Sequence, residues 1–407
     1  MKFVYKKIYT KLDLFYLIFL IFILIYGTFS SPTPENLSFI EYICGFLLLL
    51  LIFISQITLY EKKLDYLFLF SIIFYLYYLI IPTVKAISLN IKFFDYFRDF
   101  VAINFFFLFL FFYNVAKKDP YKLIKKTTNF ICFLGFAFAL KYLYLVRNEI
   151  INFSYFTAGN TEYYSADPSL LFASVYSIAE AVRYYIKKKR IYFLYIIFFI
   201  FTYLPLLLTG FRLQSTLCLM TLMLVLIFYF FYRPIKTLKI AIFFALIFLL
   251  FYSYFLKIFN LLIFKHLELG FNNRFQELQI INNLNIDEII FGLGWGVLIE
   301  TPLLETPVRF VHNYFIYFFS KTGIFGLIIA TFIFLFSFYV SISKCLKSLI
   351  SLSNLKNNNF FSINLAILSC LIYVFLFSGA FKSLTMGLLL IIVNCFYLLK
   401  KYEKKYD

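Results

Sequence analysis

The residues best suited to chemistry in this sequence lie between positions 291 and 326. Gly292, Gly294 and Gly296 alternate with larger residues, and the chain's single tryptophan, Trp295, stands between two of them. Glycine allows backbone conformations that other residues avoid, so this glycine run predicts a tightly folded segment. The spacing does not indicate a dinucleotide-binding turn, which needs a strand before it and a helix after it.

His312 follows the glycine run and is one of only two histidines in the chain. An imidazole exchanges a proton near neutral pH, so His312 could act as a general base toward a sugar hydroxyl. The alternative is a packed or capping histidine. Asn313, the next residue, could orient a sugar or cap a helix that begins after it.

Three arginines are candidates for anion binding. Arg212 ends the short turn 209–212 between two strongly apolar runs, where a guanidinium is costly unless it faces a polar cavity or an anion. Its planar fork matches phosphate oxygens, although an arginine that reaches toward lipid headgroups is an open alternative. Arg274 and Arg309 lie on either side of the glycine run, and each alone also fits a solvated surface.

Several chemistries have no support in the sequence. The 20 acidic residues include no D-x-D pair for a metal-bound nucleotide sugar, and no Walker, H-E-x-x-H or G-x-S-x-G motif occurs. The six cysteines lie in or beside apolar runs without a C-x-x-C pair, so neither a disulfide framework nor a metal site is indicated. We therefore expect no metal and no cofactor.

These residues belong to a chain with the composition of a membrane protein. Of its 407 residues, 63% are hydrophobic, and the mean hydropathy is +0.88; a soluble domain has about 45–50% apolar residues. Apolar runs of about 20 residues predict transmembrane helices. The twelve runs lie at about 14–30, 38–60, 64–82, 99–115, 128–146, 169–186, 191–209, 213–232, 237–256, 313–342, 361–379 and 383–399. The tenth is too long for one straight span, and we expect it to begin as a short surface helix and to enter the membrane near Gly323.

Basic residues predict the orientation of these spans. With the N-terminus in the cytoplasm, the cytoplasmic segments hold 25 lysines and arginines and the outward segments hold 10, an asymmetry typical of inner-membrane proteins. Both termini are then cytoplasmic, and the net charge of +18 reflects topology, with no nucleic-acid partner expected. The prediction is a single polytopic all-α domain, 1–407, in which one large outward loop, 257–312, joins helices 9 and 10 as a lid on a membrane cavity.

Charged residues near span ends predict local pairs. Asp95, Arg98 and Asp99 have the spacing of neighbours on one helical face, which favours an ion-paired set. Glu180 and Arg183 are three residues apart and predict an ion pair within one helix.

The order Gly-x-Gly-x-Gly, then His-Asn, then nine residues, then Gly-x-x-Gly resembles the O-antigen ligase and O-antigen polymerase superfamily. The residues that carry it are Gly292, Gly294, Gly296, His312, Asn313, Gly323 and Gly326. The turn ending at Arg212 is similar to that family's arginine-bearing outward turn, with Phe211 where the family usually has a small residue. The twelve spans, cytoplasmic termini and large loop between spans nine and ten fit the same resemblance.

The resemblance implies a metal-independent C-type glycosyltransferase of the bacterial inner membrane. On the periplasmic face, an acceptor hydroxyl would attack the anomeric carbon of a glycan carried on undecaprenyl diphosphate, and the lipid diphosphate would leave. His312 would activate or position the hydroxyl, and Arg212 would neutralise the leaving group. The candidate substrate-binding residues are Arg274, Arg309, Asn313, Gly294 and Trp295.

Two activities share this motif. The spacing and the moderate loop favour an O-antigen ligase, whose acceptor is lipid A-core, over a polymerase, whose acceptor is another lipid-linked repeat unit. Membrane lipids surround either protein. A transporter of lipid-linked glycans is the alternative that is not an enzyme, but mid-membrane charges and repeated halves would then be expected, and we find no repeat.

Overall fold

A computed structural model of the protein describes residues 66–147, 167–208, 212–250, 277–300, 313–350, 360–377 and 384–406, with Pro307, Val311 and single residues between Ile18 and Leu50. These residues form helices joined by turns and short extended segments, and no β-strand occurs among them. The all-α class predicted from the sequence is confirmed for this part of the chain.

The helices of the described chain are α1 (Tyr66–Ser88), α2 (Phe93–Phe106), α3 (Leu108–Phe111), α4 (Tyr113–Lys118), α5 (Pro120–Leu145), α6 (Pro168–Ile186), α7 (Tyr192–Leu208), α8 (Arg212–Tyr232), α9 (Pro234–Leu250), α10 (Ile286–Phe291), α11 (Tyr314–Ile350), α12 (Phe360–Phe377) and α13 (Leu384–Tyr406). A 3₁₀ helix, Glu277–Asn283, precedes α10. The third to twelfth predicted spans all fall on these helices, whereas the first two lie almost entirely outside the described residues.

The fourth predicted span, 99–115, is divided among three helices. Turns at Phe107 and Phe112, both with φ −91° and ψ close to zero, separate α2, α3 and α4. Phe105, Phe106 and Phe107 are all buried, although successive residues of a helix point in different directions. A segment that is apolar on every side is surrounded by other helices, so this region lies inside the bundle.

Four described segments are long and apolar enough to cross a membrane: Phe68–Ser88, Pro120–Leu145, Leu213–Phe231 and Tyr314–Lys347. Three shorter helical segments are also apolar: Tyr192–Leu208, Phe360–Phe375 and Leu384–Leu399. At a rise of 1.5 Å per residue, about 20 residues cover the hydrocarbon of a bilayer. These lengths are compatible with a membrane protein, whereas the count of twelve spans and their orientation stay predictions.

Helix α6 packs against α5, α7, α8 and α12. Nearly all of its residues are buried. Small residues allow its close approach to α5: a Cβ added at Gly135 would overlap the carbonyl of Ser169 and lie 3.1 Å from the Cβ of Ala173. Small residues at such contacts let helix backbones pack closely in a membrane protein.

Helix α11 is broken at Gly323, which has φ 70° and ψ −167°. The break divides it into a short section, 314–322, and a long section, 324–350. It confirms that the tenth predicted span is not one straight helix. The point at which it enters the membrane stays a prediction.

Candidate functional site

The short section of α11 begins directly after the His-Asn pair, and Asn313 caps it. The Asn313 side-chain Oδ1 accepts the N–H groups of Phe315 and Ile316 at 2.9 and 3.1 Å. The first N–H groups of a helix lack partners within the helix, and a side-chain oxygen at the N-cap supplies one. The capping role considered for Asn313 is confirmed, and contact with a sugar stays a prediction.

The glycine run closes the other end of the same short section. Because α11 breaks at Gly323, the carbonyls just before the break lose their regular helical donors. The N–H of Leu293 donates to Ser320 O at 2.7 Å, and the N–H of Gly294 donates to Lys321 O at 3.0 Å. A section of about two and a half turns is therefore capped at its start by Asn313 and at its end by the glycine run.

Gly292 and Gly323 lie against each other's chain segments. Gly292 has φ 79°, and a Cβ there would overlap the backbone of Lys321 and Thr322; a Cβ at Gly323 would overlap the carbonyl of Ile290. Positive φ and the lack of space both require glycine at these two positions. The glycines thus allow α10 and the broken part of α11 to touch backbone to backbone.

Trp295 supplies a hydrogen-bond donor that α1 lacks at Pro82. Pro82 has no N–H, so the carbonyl of Tyr78, four residues earlier, loses its helical donor. The indole Nε1 of Trp295 donates to that carbonyl at 2.8 Å, and the backbone N–H of Trp295 donates to Pro82 O at 3.3 Å. The indole is only 1% exposed. In the structure both Trp295 and Gly294 have packing roles, and their predicted contact with substrate stays a prediction.

A buried ion pair joins the glycine run to α2 and α11. The Asp99 Oδ2 lies 3.3 Å from the Lys321 Nζ and accepts the N–H of Gly296 at 2.9 Å. The hydroxyl of Tyr317 also hydrogen-bonds to the Asp99 carboxylate, and Lys321 donates to the carbonyl of Val297. Asp99 is 3% exposed and Lys321 0%. Both charges therefore have hydrogen-bonding partners, as burial requires.

Sequence reasoning did not assign this pair. Asp95 and Arg98 form the expected i,i+3 ion pair at 3.6 Å, and Asp99 pairs with the distant Lys321. The available signal was Lys321 itself, a lysine within the apolar tenth span. Nothing in the sequence indicated that its partner lies 222 positions earlier.

A small cleft opens beside the ion pair. Its lining is mostly apolar and consists of Asp99, Ala102, Ile103, Phe106, Trp295, Tyr317 and Phe318. Among the described residues, no group of three His, Cys, Asp or Glu side chains could hold a metal ion. The polar chemistry of this cleft rests on the Asp99 carboxylate and the Tyr317 hydroxyl.

The described part of the large loop is attached to the bundle. An exposed ion pair joins Lys85 of α1 to Asp287 of α10. A capping box between Asn285 and Glu288 starts α10, with the Asn285 N–H donating to the Glu288 carboxylate at 2.9 Å. The exposed ion pair and the buried ion pair connect this part of the loop to α1, α2 and α11, and the role of the loop as a lid stays a prediction.

Most of the residues predicted to do chemistry fall outside this description. Arg274, Arg309 and His312 lie outside the described residues. Arg212 is the first residue of α8, and its side chain is likewise not described. The structure therefore brings together the framework of the motif and leaves the roles of these four residues as predictions.

The predicted pair of Glu180 and Arg183 is confirmed within α6. Glu180 is 0% exposed and Arg183 5%, and the guanidinium carbon lies 4.7 Å from the centre of the Tyr184 ring. One oxygen of Glu180, Oε1, and the Nε of Arg183 have no hydrogen-bond partner. This pair lies in the bundle interior, on a helix other than those that form the glycine-run junction.

No family model matches the chain. No curated protein and no solved structure matches it either. The resemblance to the O-antigen ligase and polymerase superfamily therefore rests on the motif residues and their spacing.

Proposed function

We propose that this protein is a membrane glycosyltransferase that moves a glycan from undecaprenyl diphosphate to a hydroxyl of lipid A-core, as an O-antigen ligase does. The observation that carries the proposal is how the motif fits together. The glycine run closes the end of a short helix that starts directly after His312-Asn313. The nine residues between Asn313 and Gly323 are the length of that capped section, so the motif spacing has a physical reason.

His312 is the proposed general base. Its sequence neighbour Asn313 is held at a capped helix start, and a rigid support of this kind suits a group that must meet a hydroxyl at hydrogen-bonding distance. The acceptor oxygen forms a bond to the anomeric carbon while its proton passes to the imidazole. The bond from that carbon to the diphosphate oxygen breaks at the same time.

Arg212 is the proposed partner of the leaving diphosphate. It begins α8, and the positive end of a helix dipole adds to the attraction for an anion. A guanidinium can form two parallel hydrogen bonds to phosphate oxygens. The stabilisation grows as charge develops on the leaving group, especially where water is excluded. Arg274 and Arg309 are further candidates for the same anionic donor.

The proposed setting is the periplasmic face of a bacterial inner membrane. Ten of the twelve predicted spans coincide with helices, and the basic residues favour cytoplasmic termini. These observations support one polytopic domain, 1–407, with twelve spans and a periplasmic loop at 257–312. The proposal includes neither a metal nor a cofactor.

A gene deletion followed by analysis of both glycan pools tests this function. Lipopolysaccharide is separated on a gel, and undecaprenyl-linked glycan is measured in the same cells. A ligase predicts loss of all polymer from lipid A-core and accumulation of long glycan on the lipid carrier. Normal polymer on the core would contradict transferase activity of either kind.

The same experiment separates the polymerase alternative. A polymerase deletion leaves a single repeat unit on the core, because ligation continues without chain growth. A transporter deletion would instead trap lipid-linked glycan on the cytoplasmic side of the membrane. The motif spacing and the moderate loop favour the ligase outcome.

A further inference from the structure

We infer that Asp99, Tyr317 and Lys321 form a positioning device, which fixes the short section of α11 and thereby the place of His312. The inference rests on the proposed function, because it needs His312 to act on a hydroxyl. None of the three side chains belongs to the glycine and His-Asn motif. Their role would be to act through the helix that His312 precedes, without touching the substrate.

The Asp99 carboxylate joins three separate parts of the chain. It lies on α2, accepts the N–H of Gly296 from the glycine run, and meets Tyr317 and Lys321 from α11. Lys321 adds a second link by donating to the carbonyl of Val297. Relative sliding of any two of these parts would break at least one directional contact.

Tyr317 and Lys321 are four residues apart, so they lie on the same face of the short helix. Two contacts on one face fix the rotation of that helix about its axis as well as its position along it. Asn313, which caps the start of that helix, lies four residues before Tyr317. A shift at the Asp99 contact is therefore carried to the residue beside His312.

Stability alone does not call for charged residues here. Bringing an ion pair out of water is costly, and well-packed apolar residues of similar volume are often as stable or more so. The ordinary backbone contacts Leu293–Ser320 and Gly294–Lys321 already tie the segments together. What the charged and hydroxyl groups add is directional bonding, which selects one arrangement among several that pack similarly.

The test uses the full chain in proteoliposomes with a synthetic undecaprenyl-diphosphate-linked glycan and lipid A-core. The principal variant is the double substitution Asp99→Asn with Lys321→Met, which leaves no unpaired buried charge. The matched control is Lys85→Met, which removes the exposed pair with Asp287 between the same loop and α1. The measurements are the single-turnover transfer rate and the donor Kd.

A second measurement reports on the junction independently of activity. Ile299 is fully buried three residues after Gly296, so an Ile299→Cys probe should react slowly with maleimide. Its rate is followed by mass spectrometry of the labelled peptide, which separates it from the native cysteines. The probe is placed in the wild-type, double-variant and Lys85→Met backgrounds.

We expect the double variant to transfer glycan about 100-fold more slowly, because a displacement of about 1 Å can have that effect. The donor Kd should stay near the wild-type value, and the probe should react at least about tenfold faster, the factor that corresponds to about 1.4 kcal/mol. Lys85→Met should change neither rate. Normal transfer by the double variant would overturn the positioning role, whether the probe reacts faster or as slowly as in the wild type.

Failure of the proposed function gives a different pattern. The wild-type protein would then transfer no glycan, while the labelling rates still decide whether the ion pair fixes the segment. If the double variant does not fold, Tyr317→Phe and Lys321→Arg replace it. The first should slow transfer several-fold, and the second should retain much of the wild-type rate because it keeps the charge. Normal transfer by Tyr317→Phe together with complete loss in Lys321→Arg would contradict the inference.

Discussion

The indole N–H of Trp295 donates to the carbonyl of Tyr78, the helical carbonyl that Pro82 leaves without a donor. The two residues are 217 positions apart. Trp295 thus supplies the donor that is missing from α1 because Pro82 has no N–H. The hydrogen bond therefore links the glycine run to α1 beside Pro82.

Trp295→Phe should destabilise the protein by about 1–3 kcal/mol, because it leaves the buried carbonyl of Tyr78 unsatisfied. The added substitution Pro82→Ala supplies an N–H to that carbonyl and should recover part of the loss. Stability is measured by reversible unfolding in mixed micelles. Additive effects of the two substitutions, with no recovery in the double variant, would rule out the repair role.

Asn313 variants separate capping from sugar binding. Asn313→Ala should reduce stability by about 1 kcal/mol and slow transfer, whereas Asn313→Ser and Asn313→Asp keep a capping oxygen and should remain close to wild type in both. The readouts are thermal unfolding and glycan transfer. Stable Ser and Asp variants that no longer transfer glycan would favour direct contact between Asn313 and a sugar.

The buried pair in α6 gives a prediction about stability. Arg183→Met leaves the Glu180 carboxylate buried without its partner, which should cost about 3–5 kcal/mol. The double substitution Glu180→Leu with Arg183→Met should be much closer to wild type. Arg190→Met, at an exposed arginine in the turn between α6 and α7, is the control. Equal destabilisation by the single and double substitutions would argue against an ion pair of this kind.

Arg212 variants distinguish diphosphate binding from an interfacial role. Loss of one preorganised donor to a developing negative charge lowers turnover by about 10²–10³-fold. We therefore expect Arg212→Ala to slow transfer by at least about 100-fold. Arg212→Lys keeps the charge without the planar fork and should recover only part of it. Full recovery by lysine, or normal transfer by the alanine variant, would favour an arginine that only reaches toward headgroups.

The sequence was sufficient for features that depend on local pattern. Apolar runs located α1, α5 to α9 and α11 to α13, the spacing of Glu180 and Arg183 predicted their ion pair, and the excessive length of the tenth run indicated the break at Gly323. Each of these features depends on residues close together in the chain.

Features that depend on distant contacts were not predictable. The turns at Phe107 and Phe112 interrupt an apolar run that gives no local sign of a break. Asp99 stands next to Arg98 in the sequence, so only the folded chain reveals its pairing with Lys321. From the sequence alone Trp295 is a candidate substrate contact, because its hydrogen-bond acceptor lies on another helix.

The most direct test of the proposed general base is the single-turnover transfer rate of His312→Ala, measured with purified protein, undecaprenyl-diphosphate-linked glycan and lipid A-core. His266→Ala, at the chain's other histidine, is the matched control. A general base contributes about 10²–10⁴-fold, so His312→Ala should slow transfer by at least 100-fold while folding normally, and His266→Ala should remain active. A His312→Ala protein that transfers glycan at nearly the wild-type rate would contradict the general-base role of His312.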